Sequence, residues 1–164
     1  MKYLLTIERF LWNIIESGMY QKADWQNWAD RMILENDDVD NWIYDLSLAT
    51  TKEEVVNTLF VSHDGYGAYY LPTEFCDYEV FEGYYYLLYK EGKMDLKDFL
   101  WKSAELEDAH ACDHSFYGMA NRDISEISDI INNHFKPYAN EALRQKQIIE
   151  TITYKEIPKI RNEV

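Results

Sequence analysis

The 164 residues carry 30 acidic against 16 basic side chains, a formal charge of -14, and are 47% hydrophobic and 16% aromatic. That length suits one domain with a real hydrophobic core, and the composition excludes a disordered tail or a low-complexity linker. The negative field repels nucleic-acid phosphate and anionic lipid and attracts basic partners, so no direct DNA or RNA binding and no membrane association are expected.

MKYLLTIERFLW opens like a signal peptide, but Glu8 and Arg9 break the apolar run, and no stretch approaches the length of a membrane span. Helical spacing dominates the chain. Leu4, Leu5, Phe10, Leu11, Ile14 and Ile15 mark a first helix, which Gly18 can end in a left-handed turn. Trp25, Trp28, Ala29, Met32 and Ile33 form one apolar face of a second helix, opened by Asp24. Val39, Trp42, Ile43 and Leu46 repeat the pattern in a short third helix. Thr51 with Glu54 is a capping box for a fourth, followed by Val55, Val56 and Leu59. Ala68 to Leu71 is the best strand candidate and is too short to build a sheet alone.

A fifth helix is expected from Thr73 to near Gly92. Asp95 caps a sixth, with Leu96, Phe99, Leu100 and Ala104 inward. Asp123 with Glu126 forms a second capping box ahead of Ile124, Ile127, Ile130, Ile131 and Phe135. Pro137 is expected to interrupt that helix, leaving Ala139, Ala142, Leu143 and Ile149 to a last one. The reading is all-α: one compact domain over residues 1–164 with about seven or eight helices, no internal repeat and no linker.

Eight of the fourteen tyrosines fall between Tyr66 and Tyr89. On the fifth helix, Val80, Phe81, Tyr84, Leu87 and Leu88 share a core face, while Tyr86 is expected to point away from it beside Glu79 and Glu82. Tyr78, Tyr85 and Tyr89 form a neighbouring stripe that ordinary packing explains. Gly83, inside the helix, implies a close backbone approach. The segment from Ser62 to Pro72 is longer than the usual connection and carries Tyr66, Tyr69 and Tyr70 around Gly65 and Gly67. Tyrosine gives large contact area at little rotamer cost, so this loop is a candidate contact site, with Asp64 at its edge.

One constellation looks like chemistry. Glu107, His110 and His114 lie within about 60° of one another on a helix, geometry that a divalent metal can use. A di-iron bundle needs a second ExxH pair, and none is present; the metalloprotease HExxH is absent too. Both histidines lie late in one helix, whereas a structural metal ties separate segments together, so no metal or other cofactor is expected. There is no nucleophile elbow, phosphate loop or dinucleotide fingerprint, which argues against an enzyme. Cys76 and Cys112 form no CxxC pair; buried structural thiols in a reducing cytoplasm are the expectation.

The acids are unevenly spread: residues 1–82 hold 16 against 5 bases, residues 83–164 hold 14 against 11. They concentrate in Glu35-Asn36-Asp37-Asp38-Val39-Asp40-Asn41-Trp42, at a helix junction, with Asp45 following. N-capping and solvation explain such a run locally. Together with the tyrosine loop, the run resembles the small acidic immunity proteins of bacterial toxin systems, many of which cover cationic nucleases with carboxylates and aromatic anchors. The run from Trp12 to Gly18 and the tryptophan-bearing second helix are also similar to single-domain helical proteins of bacteria, as far as about residue 60. The resemblance implies a basic, toxin-like protein partner; the acidic run and the tyrosine loop, read from their own residues, make Asp37, Asp38, Asp40, Asp45, Asp64, Tyr66, Tyr69 and Tyr70 the expected contact surface. The alternatives are a structural or regulatory helical protein with another partner, and a metal-binding protein or enzyme using Glu107, His110 and His114.

Overall fold

The computed structural model describes residues 3–61, 71–109, 119 and 122–157. Among them the chain is all-α, with seven helices and two three-residue strands. In chain order these are β1 (Tyr3–Leu5), α1 (Ile7–Glu16), α2 (Lys22–Glu35), α3 (Asn41–Leu48), α4 (Lys52–Val61), β2 (Leu71–Thr73), α5 (Asp77–Lys90), α6 (Leu96–Ala109) and α7 (Ile124–Thr151). The chain groups into two compact units, Met1–Glu74 with Gln145–Val164, and Phe75–Arg144. The second boundary falls inside α7, which contributes to both.

In the first unit β1 and β2 pair antiparallel, Leu4 opposite Pro72. Leu4 and Leu5 therefore belong to a strand rather than to the first helix. The Thr6 hydroxyl sets the helix start by accepting the Arg9 amide at 3.1 Å. Gly18, at φ +83°, ends α1 as expected. Asp24 does not open α2; it is the third helical residue and caps backward, accepting the Gln21 amide at 2.8 Å. Thr51 and Glu54 cap each other at 3.2 Å in both directions.

α2 and α3 form an antiparallel hairpin. Trp28 stacks on Trp42 with ring centroids 5.9 Å apart, and the Trp25 indole donates to the Ala49 carbonyl at 3.1 Å. The end of α7 is fastened to the same hairpin: Trp28 Nε1 donates to the Ile149 carbonyl at 2.8 Å, and Arg31 donates to the carbonyls of Ile149 and Ile152. Ile149 lies in the last turn of α7, whose carbonyls lack a donor within the helix, and Ile152 is the residue just past its end.

In the second unit α5 starts at Asp77, four residues later than expected. Thr73 is held in β2, and Glu79 caps the amide of Cys76 at 2.9 Å. Gly92, at φ +72°, ends the helix. Asp95 caps α6 through the Asp98 amide at 2.7 Å. The apolar cluster of this unit joins Tyr86, Phe99, Leu100, Ala104, Ile127, Ile131, Phe135 and Ala139. Tyr86 thus points into a core and not away from one; its hydroxyl donates to Asn132 Oδ1 at 2.6 Å. The face of α5 that carries it is buried because α6 and α7 cover it.

One expectation about α7 needs correction. The helix runs unbroken through Pro137. Both Pro137 and Asn133, the residue whose carbonyl loses its helical donor, are solvent-exposed, so water can take that hydrogen bond. Of the apolar positions on this helix, Ile127, Ile131 and Phe135 are buried, and Ile124, Ile130 and Leu143 are exposed.

Candidate functional site

The acidic run lies where α2 turns into α3, within the first unit. Asp37, Asp38, Asp40 and Asp45 are all exposed. Asp40 is the N-cap residue of α3, yet its side chain makes no capping bond. It instead hydrogen-bonds the Tyr154 phenol, whose pKa is raised by burial first and by the Asp40 charge second. Glu35, Asn36, Asp37 and Asp38 line a cleft of about 310 Å³ with Tyr154 and Lys155 on the facing wall. Three carboxylates against one ammonium leave the cleft with a negative excess.

The helix geometry places apolar groups beside these acids. Asn41, Tyr44, Asp45 and Leu48 fall within about 100° on α3, opposite the buried Trp42, Ile43 and Leu46. Leu48 is 76% exposed and Tyr44 is 40% exposed. On α2, Leu34 is 85% exposed and lies one turn beyond Asp30, whose carboxylate accepts the hydroxyl of Ser47 on α3. Three exposed apolar side chains thus lie on the same two helices as the exposed carboxylates. Sequence reasoning missed Leu34, Tyr44 and Leu48, although Tyr44 and Leu48 stand off the Trp42–Ile43–Leu46 face and could have been read as outward. Asp64, Tyr66, Tyr69 and Tyr70 lie outside the described residues, as do His110 and His114.

A second cluster forms inside the unit Phe75–Arg144. Glu82 of α5, Glu107 of α6 and His134 of α7 bring one ligand atom each within 4.8 Å of one another. Glu107 Oε1 lies 3.3 Å from His134 Nε2. Glu82 is 0% exposed and Glu107 is 2% exposed. Glu107 is thus inward, as the α6 stripe implies, but the histidine beside it comes from another helix. Glu82 and His134 were not anticipated. Gly83 was the available signal, because a helix that admits another backbone at one residue buries the neighbouring side chain too.

Cys76 is held toward its protonated thiol form. Burial pushes its thiol up to about 11, and its Sγ donates to Glu79 Oε2 at 3.2 Å. No helix among the described residues is long and apolar enough to cross a membrane. No protein-family model, curated protein or solved structure matches the chain.

Proposed function

We propose that this chain is a protein-binding module of the immunity type, which captures a basic, toxin-like protein through the acidic surface of the α2–α3 hairpin. The observation that supports the reading is that Leu34, Tyr44 and Leu48 are exposed on the same α2–α3 hairpin as the exposed Asp37, Asp38, Asp40 and Asp45. Apolar and aromatic anchors that lose water on contact supply most binding energy, while a charged border steers the approach and selects the partner's sign. The cleft beside Tyr154 suits an arginine or lysine side chain, whose charge its carboxylates would offset. Asp64, Tyr66, Tyr69 and Tyr70 enter the same reading, on sequence alone, as a further contact segment.

The test uses the protein encoded immediately upstream, where an immunity-type partner belongs. The proposal expects a cationic toxin that forms a stoichiometric complex with this chain and loses its activity in it. Replacing Asp37, Asp38, Asp40 and Asp45 by asparagine should weaken that complex. An upstream product that is acidic, or that is active and unbound in the presence of this chain, contradicts the reading.

A further inference from the structure

Burying two carboxylates side by side is costly unless positive charge or a proton accompanies them. Glu82 and Glu107 are buried where α5, α6 and α7 meet, and the His134 imidazole converges on the same point. A divalent cation is one group that such a convergence of two carboxylates and an imidazole can hold.

We propose that Glu82, Glu107 and His134 bind one divalent first-row transition cation, of which zinc is the representative, between α5, α6 and α7. The site is independent of the partner-binding surface. Imidazole suits zinc, iron and nickel, carboxylates suit harder divalent ions, and a mixed set meets in zinc, manganese and ferrous iron. The spacing fits as well. Two ligands each about 2.0–2.1 Å from a tetrahedral zinc stand about 3.4 Å apart, close to the 3.3 Å between Glu107 and His134.

The surroundings hold the donors in place. A β-carbon on Gly83 would lie 2.2 Å from the Tyr138 carbonyl oxygen, so α5 and α7 touch backbone to backbone one residue from Glu82 and one turn from His134. The rings of Phe135 and Tyr138 stand edge-on to the His134 ring at 4.7 and 5.4 Å and fix its plane. Ser103, one turn before Glu107 on α6, is 0% exposed, and its hydroxyl has no hydrogen-bond partner among the described residues. A metal-bound water is a fitting partner for such a hydroxyl. The His134 side chain is 21% exposed, while its Nε2 faces the buried cluster. Ligands drawn from three helices also let a metal here tie separate segments together.

The experiment titrates zinc chloride into the full chain after chelator treatment, read by calorimetry and thermal unfolding, with magnesium as comparison. The proposal expects one equivalent of zinc, an unfolding midpoint raised by roughly 5 °C at saturation, and no comparable effect of magnesium. Glu82→Gln keeps the side chain's shape and should weaken zinc at least about tenfold, without lowering the midpoint of the metal-free protein. Glu107→Gln should do the same. The double variant His110→Ala/His114→Ala should bind zinc as the parent does. Zinc bound equally well by the Glu82→Gln and Glu107→Gln variants, lost in the His110/His114 double variant, or not bound by the parent chain overturns the proposal.

Discussion

Gly83 stands against the carbonyl of Tyr138: a β-carbon built on the glycine would come 2.2 Å from that oxygen and 2.5 Å from its carbon. The obstacle is backbone, which cannot swing aside as a flexible side chain can. Gly83→Ala gains helix propensity worth about 1 kcal/mol and forces two helix backbones apart, which costs about 2–3 kcal/mol, the upper end for overpacking. The steric cost should win. Urea denaturation of the variant should show a net loss of about 1–2 kcal/mol; a variant as stable as the parent would show that α5 and α7 are not in this contact.

Tyr86 closes the aromatic cluster of the same unit. Its ring stacks at 6.2 Å on Phe135, and its hydroxyl holds Asn132 at 2.6 Å. Tyr86→Phe removes only the hydrogen bond and should cost about 1 kcal/mol. Phe135→Ala opens a fully buried site and should cost about 3–5 kcal/mol. Equal losses in the two variants would mean that the ring of Phe135 contributes little.

Alkaline pH should destabilise the fold. Burial, then the charges of Glu150 and Asp24, push Tyr20 from 10.0 up to about 12, and burial pushes Cys76 from 9.0 to about 11. In both cases the folded chain keeps a proton that the unfolded chain releases earlier. Stability from these groups is therefore complete below about pH 9 and falls as pH rises through 9–12. Urea midpoints measured from pH 8 to 11 should decline, and Tyr20→Phe should flatten the decline above pH 10. An unchanged slope in that variant would remove Tyr20 from the account.

The end of α7 depends on α2. Trp28→Phe keeps an aromatic ring in the core but deletes the donor to the Ile149 carbonyl. A loss of about 1–2 kcal/mol is expected, with faster amide exchange confined to the last turn of α7 and to the α2–α3 hairpin. Exchange that rises uniformly through the chain would contradict a local fastening role.

The features legible in the sequence are those decided over three or four residues. Thr51 with Glu54, Asp95, Gly18 and Gly92 all stand where their local chemistry places them. Features decided by tertiary contact were not legible. Glu82 and Tyr86 share a helix face with Glu79 and look solvent-bound until α6 and α7 cover that face. Pro137 looks like a stop because its missing amide is visible in sequence, whereas the exposure of the Asn133 position that makes the loss tolerable is not. At the acidic surface the carboxylates were readable as charge. Tyr44 and Leu48 were readable as lying off the α3 core face, but how far they and Leu34 stay uncovered was not, since exposure is defined only by what fails to cover a side chain.

The most direct test of the acidic surface is the association rate of the upstream-encoded partner, measured at low and high salt for the parent chain, for the Asp37/Asp38/Asp40/Asp45→Asn variant and for Tyr44→Ala. Long-range attraction acts before contact and is screened beyond about 8 Å at physiological ionic strength, so the asparagine variant should associate more slowly at low salt and match the parent at high salt. Tyr44→Ala should leave association nearly unchanged and speed dissociation, for a loss on the order of 2 kcal/mol. An association rate that ignores both salt and the four aspartates would contradict the claim that this surface captures a basic protein.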